Sequence, residues 1–313
     1  MTQTPVPALD VRNLTKGFGA VKAVSGLNFS CGRGEIFGFV GPDGSGKTTI
    51  MRLLAAVMAP DSGSIHIDGI DVVASPEAVR AHISYMPQRF GLYEDLTVDE
   101  NIAFFADLFE ISPIMRKERA ERLLAASGMS PFRKRRAGQL SGGMKQKLGL
   151  TCALIHAPRV LLLDEPTAGV DPVSRRDFWR ILYGLKDEGV SIVIATSYLD
   201  EAEHCTRLGL LRDGQMLYCD TPPALKALMP GALVAFTSPQ ARAARDVVAR
   251  LDGVTTATLM GDGVHIVVDD AQKRIPALQA ALAASHITHD GVDQMTPSIE
   301  DLFVALLTPA GAA

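Results

Sequence analysis

An α/β fold on a parallel sheet, followed by a smaller α+β domain, is what this sequence predicts, on three observations. First, Gly41-Pro42-Asp43-Gly44-Ser45-Gly46-Lys47-Thr48-Thr49 fits the phosphate-loop pattern G-x-x-x-x-G-K-[ST]. It lies between a short apolar run at 35–40, of strand type, and helical apolar spacing over 47–57 that Pro60 stops. Second, Val160-Leu161-Leu162-Leu163-Asp164-Glu165-Pro166 is unbroken and apolar before two acids, as in a buried parallel strand with carboxylates at its carboxyl edge. Third, the texture changes beyond Thr221-Pro222-Pro223 to alanine-rich helices and short strands, which sets a domain boundary near residue 225.

Composition narrows the classes. The 313 residues exceed one ordinary domain, and 47% hydrophobic content supports full cores. A net charge of -4 and a pI of about 6.0 argue against nucleic acid as the main ligand, and Arg133-Lys134-Arg135-Arg136 reads as a solvated face. Cys31, Cys152, Cys205 and Cys219 are too scattered for a zinc site or a disulfide framework, which fits a reducing compartment. With no signal-peptide pattern and no apolar run of spanning length, the chain is expected to be soluble unless a partner holds it at a membrane.

In chain order, residues 9–14 alternate as a strand, and Lys16-Gly17-Phe18-Gly19 reads as a turn. Phe18 there is either core or a flat apolar face for a nucleobase. After the first helix come a strand at 64–67, a turn at Asp68-Gly69, and a strand at 83–86 that puts Gln88 at its end. An amide at that point is ordinary polar surface or a magnesium ligand through its carbonyl oxygen. Residues 92–129 read as a helical subdomain, within bounds of about 88–156, opened by Thr97-Val98-Asp99-Glu100. Leu140-Ser141-Gly142-Gly143-Met144 leads into another helix. A serine cap and a phosphate contact share the same local physics there, so spacing does not separate them. A buried strand at 191–196 and a hairpin around Asp213-Gly214 close the first domain. Residues 226–313 read as β-α-β-β-α, a small module of ferredoxin-like order. His265, His286 and His289 in it lack paired acids or metal spacing and are expected in surface or core roles.

The first domain carries the chemistry. Loop amides and a helix start can close on a pyrophosphate, Lys47 can reach terminal phosphates, and the Thr48 hydroxyl can ligate magnesium, so ATP or GTP is the expected ligand. Asp164 can bind the magnesium shell, and Glu165 can orient or deprotonate a water.

The P-loop, Gln88, residues 140–144, Asp164-Glu165 and Ala168-Gly169-Val170-Asp171 occur in the order and spacing of the ATP-binding cassette (ABC) family, which the chain resembles over residues 9–225. The resemblance implies a P-loop cassette with a mixed sheet core, a helical subdomain and, here, a small α+β accessory domain. It implies ATP and Mg2+ as ligands, with Phe18, residues 41–49, Gln88, Ser141, Gly142, Gly143 and Asp171 at nucleotide, and Thr48, Gln88 and Asp164 at metal. It also implies head-to-tail pairing, each ATP lying between one chain's P-loop and the other's Ser141 helix. Met144 stands where the family usually has glutamine.

Further stretches, among them residues 85–96, Met144-Lys145-Gln146-Lys147-Leu148-Gly149-Leu150, Tyr198-Leu199-Asp200-Glu201-Ala202-Glu203 and 296–303, resemble ABC-2 type exporters, nearest the first half of tandem two-cassette efflux ATPases. The implied role is an ATPase subunit at the cytoplasmic face of the membrane, joined to separate permease subunits. One departure stands out. Ser197 occupies the position of the family's switch histidine, and a serine cannot replace an imidazole that bridges Glu165, water and phosphate. Weak hydrolysis at the chain's own loop follows, and with it a second cassette carrying the histidine rather than a homodimer. A regulatory half with little hydrolysis of its own, and a soluble ABC protein acting on ribosomes or DNA, are the competing classes.

Overall fold

A computed structural model describes residues 6–89 and 91–307 in two units, Met1–Cys219 and Asp220–Ala313. The first unit begins with β1 (Leu9–Phe18) and β2 (Val21–Cys31), an antiparallel pair that turns at Gly19. The turn expected at 16–19 therefore starts later, because Lys16, Gly17 and Phe18 still pair with Val24, Lys22 and Val21. Then follow β3 (Ile36–Val40) and α1 (Lys47–Leu54). The helix is shorter than its apolar spacing suggests, since Ala56 takes a left-handed φ of 54° and breaks the ladder before Pro60.

β4 (Ser62–Ile67) and β5 (Ile70–Asp71) join β1 and β2 in a four-stranded antiparallel sheet of order β2-β1-β4-β5. Asp68 and Gly69 link them with φ of 50° and 80°, the conformation a two-residue hairpin turn demands. After α2 (Pro76–Arg80) and β6 (Ile83–Met86) comes the helical stretch: α3 (Val98–Leu108), α4 (Pro113–Ala126) and α5 (Gly142–Leu154). Thr97 and Glu100 form a reciprocal capping box on α3, and Ser112 caps α4.

β7 (Val160–Asp164), α6 (Pro172–Asp187), β8 (Ser191–Thr196), α7 (Leu199–Ala202) and the hairpin β9 (Arg207–Arg212) and β10 (Gln215–Asp220) complete the unit. The main sheet has the order β10-β9-β3-β8-β7-β6, parallel from β9 through β6. Every residue of β3, β7 and β8 is buried, which is why these strands read as continuous apolar runs. Phe29, Phe37 and Phe39 cluster with ring centroids 4.8–5.1 Å apart and tie β2 to β3 in the core. The strand ends β3, β7 and β8 thereby deliver the P-loop, the two acids and Ser197 to one edge of the sheet.

The second unit runs α8 (Pro222–Lys226), β11 (Ala232–Thr237), α9 (Ala241–Val248), β12 (Val254–Met260), β13 (Gly263–Val268), α10 (Ala271–Ala284), β14 (Asp293–Met295) and α11 (Ile299–Leu307). Its sheet is wholly antiparallel, of order β12-β13-β11-β14, with α9 and α10 over a core of Val234, Phe236, Val264 and Ile266. His265 corrects the expectation that no histidine here has an acid partner. Its Nδ1 lies 2.6 Å from Asp301 Oδ1, on a helix 36 residues further on whose docking no local pattern reveals.

Candidate functional site

The P-loop leaves β3 at Gly41 and enters α1 at Gly46. Gly46 has φ of 103°, and a Cβ there would lie 2.2 Å from the Ala23 carbonyl; one at Gly41 would lie 2.4 Å from that of Leu211. Both glycines are thus required by close backbone approach. Lys47 is buried, and its Nζ donates to the carbonyls of Gly41 at 2.8 Å and Pro42 at 3.1 Å while lying 3.6 Å from Glu165 Oε1.

A cavity of about 380 Å³ opens over this loop. Asp43, Gly44, Gly46, Lys47, Thr48, Thr49, Gln88, Glu165 and Ser197 line it, together with Val21, Ala23, Ala168 and Tyr198. Gly41, Pro42 and Ser45 stand behind it as the loop's frame, and the buried Ser45 Oγ has no hydrogen-bond partner among the described residues. Asp164 lies beneath, accepting from Thr48 Oγ1 at 3.1 Å and from the Tyr85 hydroxyl at 3.3 Å. Burial pushes the Asp164 carboxyl above its ordinary range against those two hydrogen bonds. Burial, with Asp164 nearby, also pushes the Tyr85 phenol up to about 12.

Glu165 has a left-handed φ of 48°, and its amide donates to Ala195 O at 2.8 Å on the neighbouring strand. A non-glycine residue held there carries local backbone strain, which the bond to Ala195 helps to hold. Ser197 grips its carboxylate twice: the amide donates to Oε2 at 3.1 Å and the hydroxyl to Oε1 at 2.7 Å. The same hydroxyl lies 3.2 Å from Asp43 Oδ1, but its one proton serves one acceptor at a time.

Besides Gly41, Pro42, Ser45 and Asp164, which adjoin the cavity, five more expected site residues lie outside its lining: Phe18, Ser141, Gly142, Gly143 and Asp171. Phe18 is half exposed at the end of β1 with the Lys16 ammonium 5.8 Å from its ring centre. Ser141 Oγ caps α5 by accepting from Met144 N, and Asp171 Oδ1 caps α6 by accepting from Ser174 N at 2.9 Å. Gly142 has open space at its Cβ position. Gly143 is packed on Ser174, where a Cβ would come within 2.4 Å.

Sequence reasoning missed Glu201, which is 1% exposed within an acidic run that looks like surface. Thr167 Oγ1 donates to its Oε1, and Thr196 Oγ1 to its Oε2 at 2.8 Å. The only signal was a threonine beside each chemistry-bearing segment, two residues after Glu165 and one before Ser197.

Parallel sheet, P-loop and paired acids at one sheet edge define a nucleotide-binding cassette. The family model described as ABC transporter matches residues 24–168, and the chain belongs to the ABC transporter family as an ATP-binding cassette protein. It is 43% identical over 293 residues to the probable multidrug ABC transporter ATP-binding protein YbhF of Escherichia coli (strain K12), covering 93% of this chain and 50% of that one. The chain thus spans about half the length of that relative. It is 32% identical over 304 residues to the daunorubicin resistance ATP-binding protein DrrA2 of Streptomyces coeruleorubidus, covering 96% and 94%. A bacterial ABC transporter cassette solved as a dimer superposes with a TM-score of 0.62 at 26% identity, covering 68% of this chain and 98% of that one. Among the described residues, no helix is long and apolar enough to cross a membrane.

Proposed function

We propose that this chain is the ATPase subunit of an ABC-2 type exporter, and that ATP binding and hydrolysis in its cassette drive efflux of a drug-like small molecule through separate membrane subunits at the cytoplasmic face. The observation that carries this is the single cavity where Lys47, Thr48 and Glu165 converge with Asp164 beneath. The relatives' names, multidrug and daunorubicin resistance, support efflux as the use of the energy.

The residues fit nucleotide and magnesium. Lys47 satisfies itself on its own loop carbonyls, Ser45 Oγ has no partner among the described residues, and Gly41 and Gly46 let the loop backbone close against Leu211 and Ala23. Thr48, Asp164 and Gln88 would hold Mg2+, which when bound offsets charge between the phosphates. Lys47 and the loop amides bind and orient the terminal phosphates, with Phe18 and Val21 flanking the base. Glu165 takes a proton from the attacking water as the bond between the terminal phosphorus and the bridging oxygen breaks, leaving ADP and phosphate. Lys47→Ala removes a buried charge-assisted contact, so the dissociation constant for a fluorescent ATP analogue should rise roughly 10-fold to 100-fold. Unchanged affinity in a folded variant would sink the assignment.

Ser141, Gly142, Gly143 and Asp171 belong on this reading to a second cassette's nucleotide in a head-to-tail pair. The membrane subunit is assigned to an apolar groove of about 360 Å³ lined by Ile83, Tyr85, Phe105, Leu108, Phe109 and Ala153. Tyr93, beside it in sequence, is 47% exposed and packs edge-on to Phe104 at 4.6 Å. The candidate surface runs from Gln88 to about Phe109 and includes Leu92; Phe90, also assigned to it, lies outside the described residues. The C-terminal unit, by its strand order, is read as a ferredoxin-like accessory module.

A second reading concerns the partner cassette and rests on the double grip of Ser197 on Glu165. A serine orients the carboxylate but adds no positive charge toward the terminal phosphate, so this chain works best beside a cassette that has the histidine. Ser197→His should raise steady-state hydrolysis of the purified chain about tenfold or more. Equal or lower turnover would favour a self-sufficient homodimer.

A further inference from the structure

Glu201 does not line the nucleotide cavity, yet it touches the segments on which Glu165 and Ser197 ride. Its carboxylate lies between two threonine hydroxyls, one oxygen for each. Thr167 follows Glu165 by two residues, in a turn closed by Ala168 N donating to Glu165 O at 3.2 Å. Thr196 precedes Ser197 directly, and its hydroxyl accepts from Tyr198 N at 3.0 Å. One buried carboxylate therefore spans the two strand ends whose side chains meet in the cavity.

A third connection leads outward along α6. Arg175 Nε lies 3.7 Å from Glu201 Oε1, beyond hydrogen-bond reach but within ion-pair range. Arg175 also bonds Asp200 Oδ2 at 3.1 Å and stacks 4.3 Å over the Tyr198 ring. Its own amide donates to Asp171 O at 2.9 Å, in the first turn of the helix that Asp171 caps. A buried anion held by two hydroxyls, with the Trp179 indole beside it and one offset cation, is costly to keep unless its geometry is used. Burial indeed pushes the Glu201 carboxyl upward against those contacts.

We propose that Glu201 is a positioning residue that fixes Glu165 and Ser197 relative to each other and, through Arg175, ties that pair to the Asp171 turn. The proposal rests on the hydrolytic reading given above. Both contacts from Ser197 to Glu165 depend on where the ends of β7 and β8 stop, and Glu201 braces both ends. A movement of the Asp171 turn would reach Glu165 by this route without passing through nucleotide.

The test compares Glu201→Ala and Glu201→Gln in the full-length chain. The alanine variant should lower kcat on the order of 10²-fold, as displacement of a reacting group by about 1 Å does, while the ATP-analogue dissociation constant stays within about threefold. The glutamine variant keeps the shape and can still bond both hydroxyls, so it should recover kcat to within about threefold of the wild type. Hydrogen exchange supplies a readout that needs no turnover: Glu201→Ala should speed exchange at the Ser197 and Tyr198 amides and leave those of α1 unchanged. Acceleration across α1 as well would make Glu201 a merely structural residue and overturn the proposal, as would unchanged exchange at Ser197. A wild type without magnesium-dependent hydrolysis would instead defeat the hydrolytic reading, and the exchange pattern would still decide the role of Glu201.

Discussion

The P-loop and the Ser141 turn are both glycine-rich entries to a helix, yet they are finished differently. At α1 the cap position is Gly46, with no side-chain hydrogen bond to the helix amides and a buried lysine directly after it. At α5 the helix is closed by its own Ser141. Helix α11 goes further, with Ser298 and Asp301 bonding each other's backbone amides in a capping box that His265 also joins. A helix start without a side-chain cap leaves its first amides free to meet an anion, whereas a start closed by its own side chain has already given one of them a partner. On the function proposed above, this difference separates the part of the cassette that holds nucleotide alone from the part that acts on a partner's nucleotide.

Gly46→Ala should break the comparison hardest. It forces a Cβ onto the Ala23 carbonyl at a φ that L-residues avoid, so we expect a loss of ~2 kcal/mol or more in chemical denaturation. ATP-analogue affinity should fall on the order of 100-fold in titration. Asp301→Ala should destabilise by roughly 1 kcal/mol, the usual worth of a cap, read as a lowered thermal midpoint. Burial works to raise the Asp301 carboxyl, but hydrogen bonds from the Ser298 hydroxyl and His265 bring it below its ordinary range. A depressed carboxylate stabilises above its unfolded pKa and loses that contribution as pH falls through the folded one. The gap between wild type and Asp301→Ala should therefore shrink as pH drops below about 4. Smallest is Ser141→Ala, costing about 1 kcal/mol or less at an exposed cap. It should leave nucleotide affinity of the isolated chain unchanged while lowering turnover of the paired cassettes. A loss of affinity in the isolated chain would place Ser141 in its own site and end the distinction.

The cassette was legible where residue type and local order coincide. G-x-x-x-x-G-K-T and the strand ending in Asp164-Glu165 state their own setting, so the loop, the β7 carboxylates and the capping box at Thr97 could be read directly. Pairings across long separations could not be. Glu201 lies in Leu199-Asp200-Glu201-Ala202-Glu203, a run that scans as solvated helix, and only the meeting of β7 with β8 brings Thr167 and Thr196 to it. His265 and Asp301 are hidden likewise, because one is on a strand and the other on a helix that folds back across it. Phe18 shows the opposite case: the sequence singles out the ring, while its strand runs on past the expected turn and leaves it half exposed.

The central claim is that Glu165, held between Lys47 and Ser197, carries ATP hydrolysis in this cassette. Single-turnover hydrolysis of radiolabelled ATP by wild type and Glu165→Gln, with dissociation constants measured on the same preparations, tests it most directly. The account predicts magnesium-dependent turnover in the wild type, a fall of about 10²–10⁴ in the variant, and equal ATP affinity in both. Turnover that survives Glu165→Gln undiminished would contradict it.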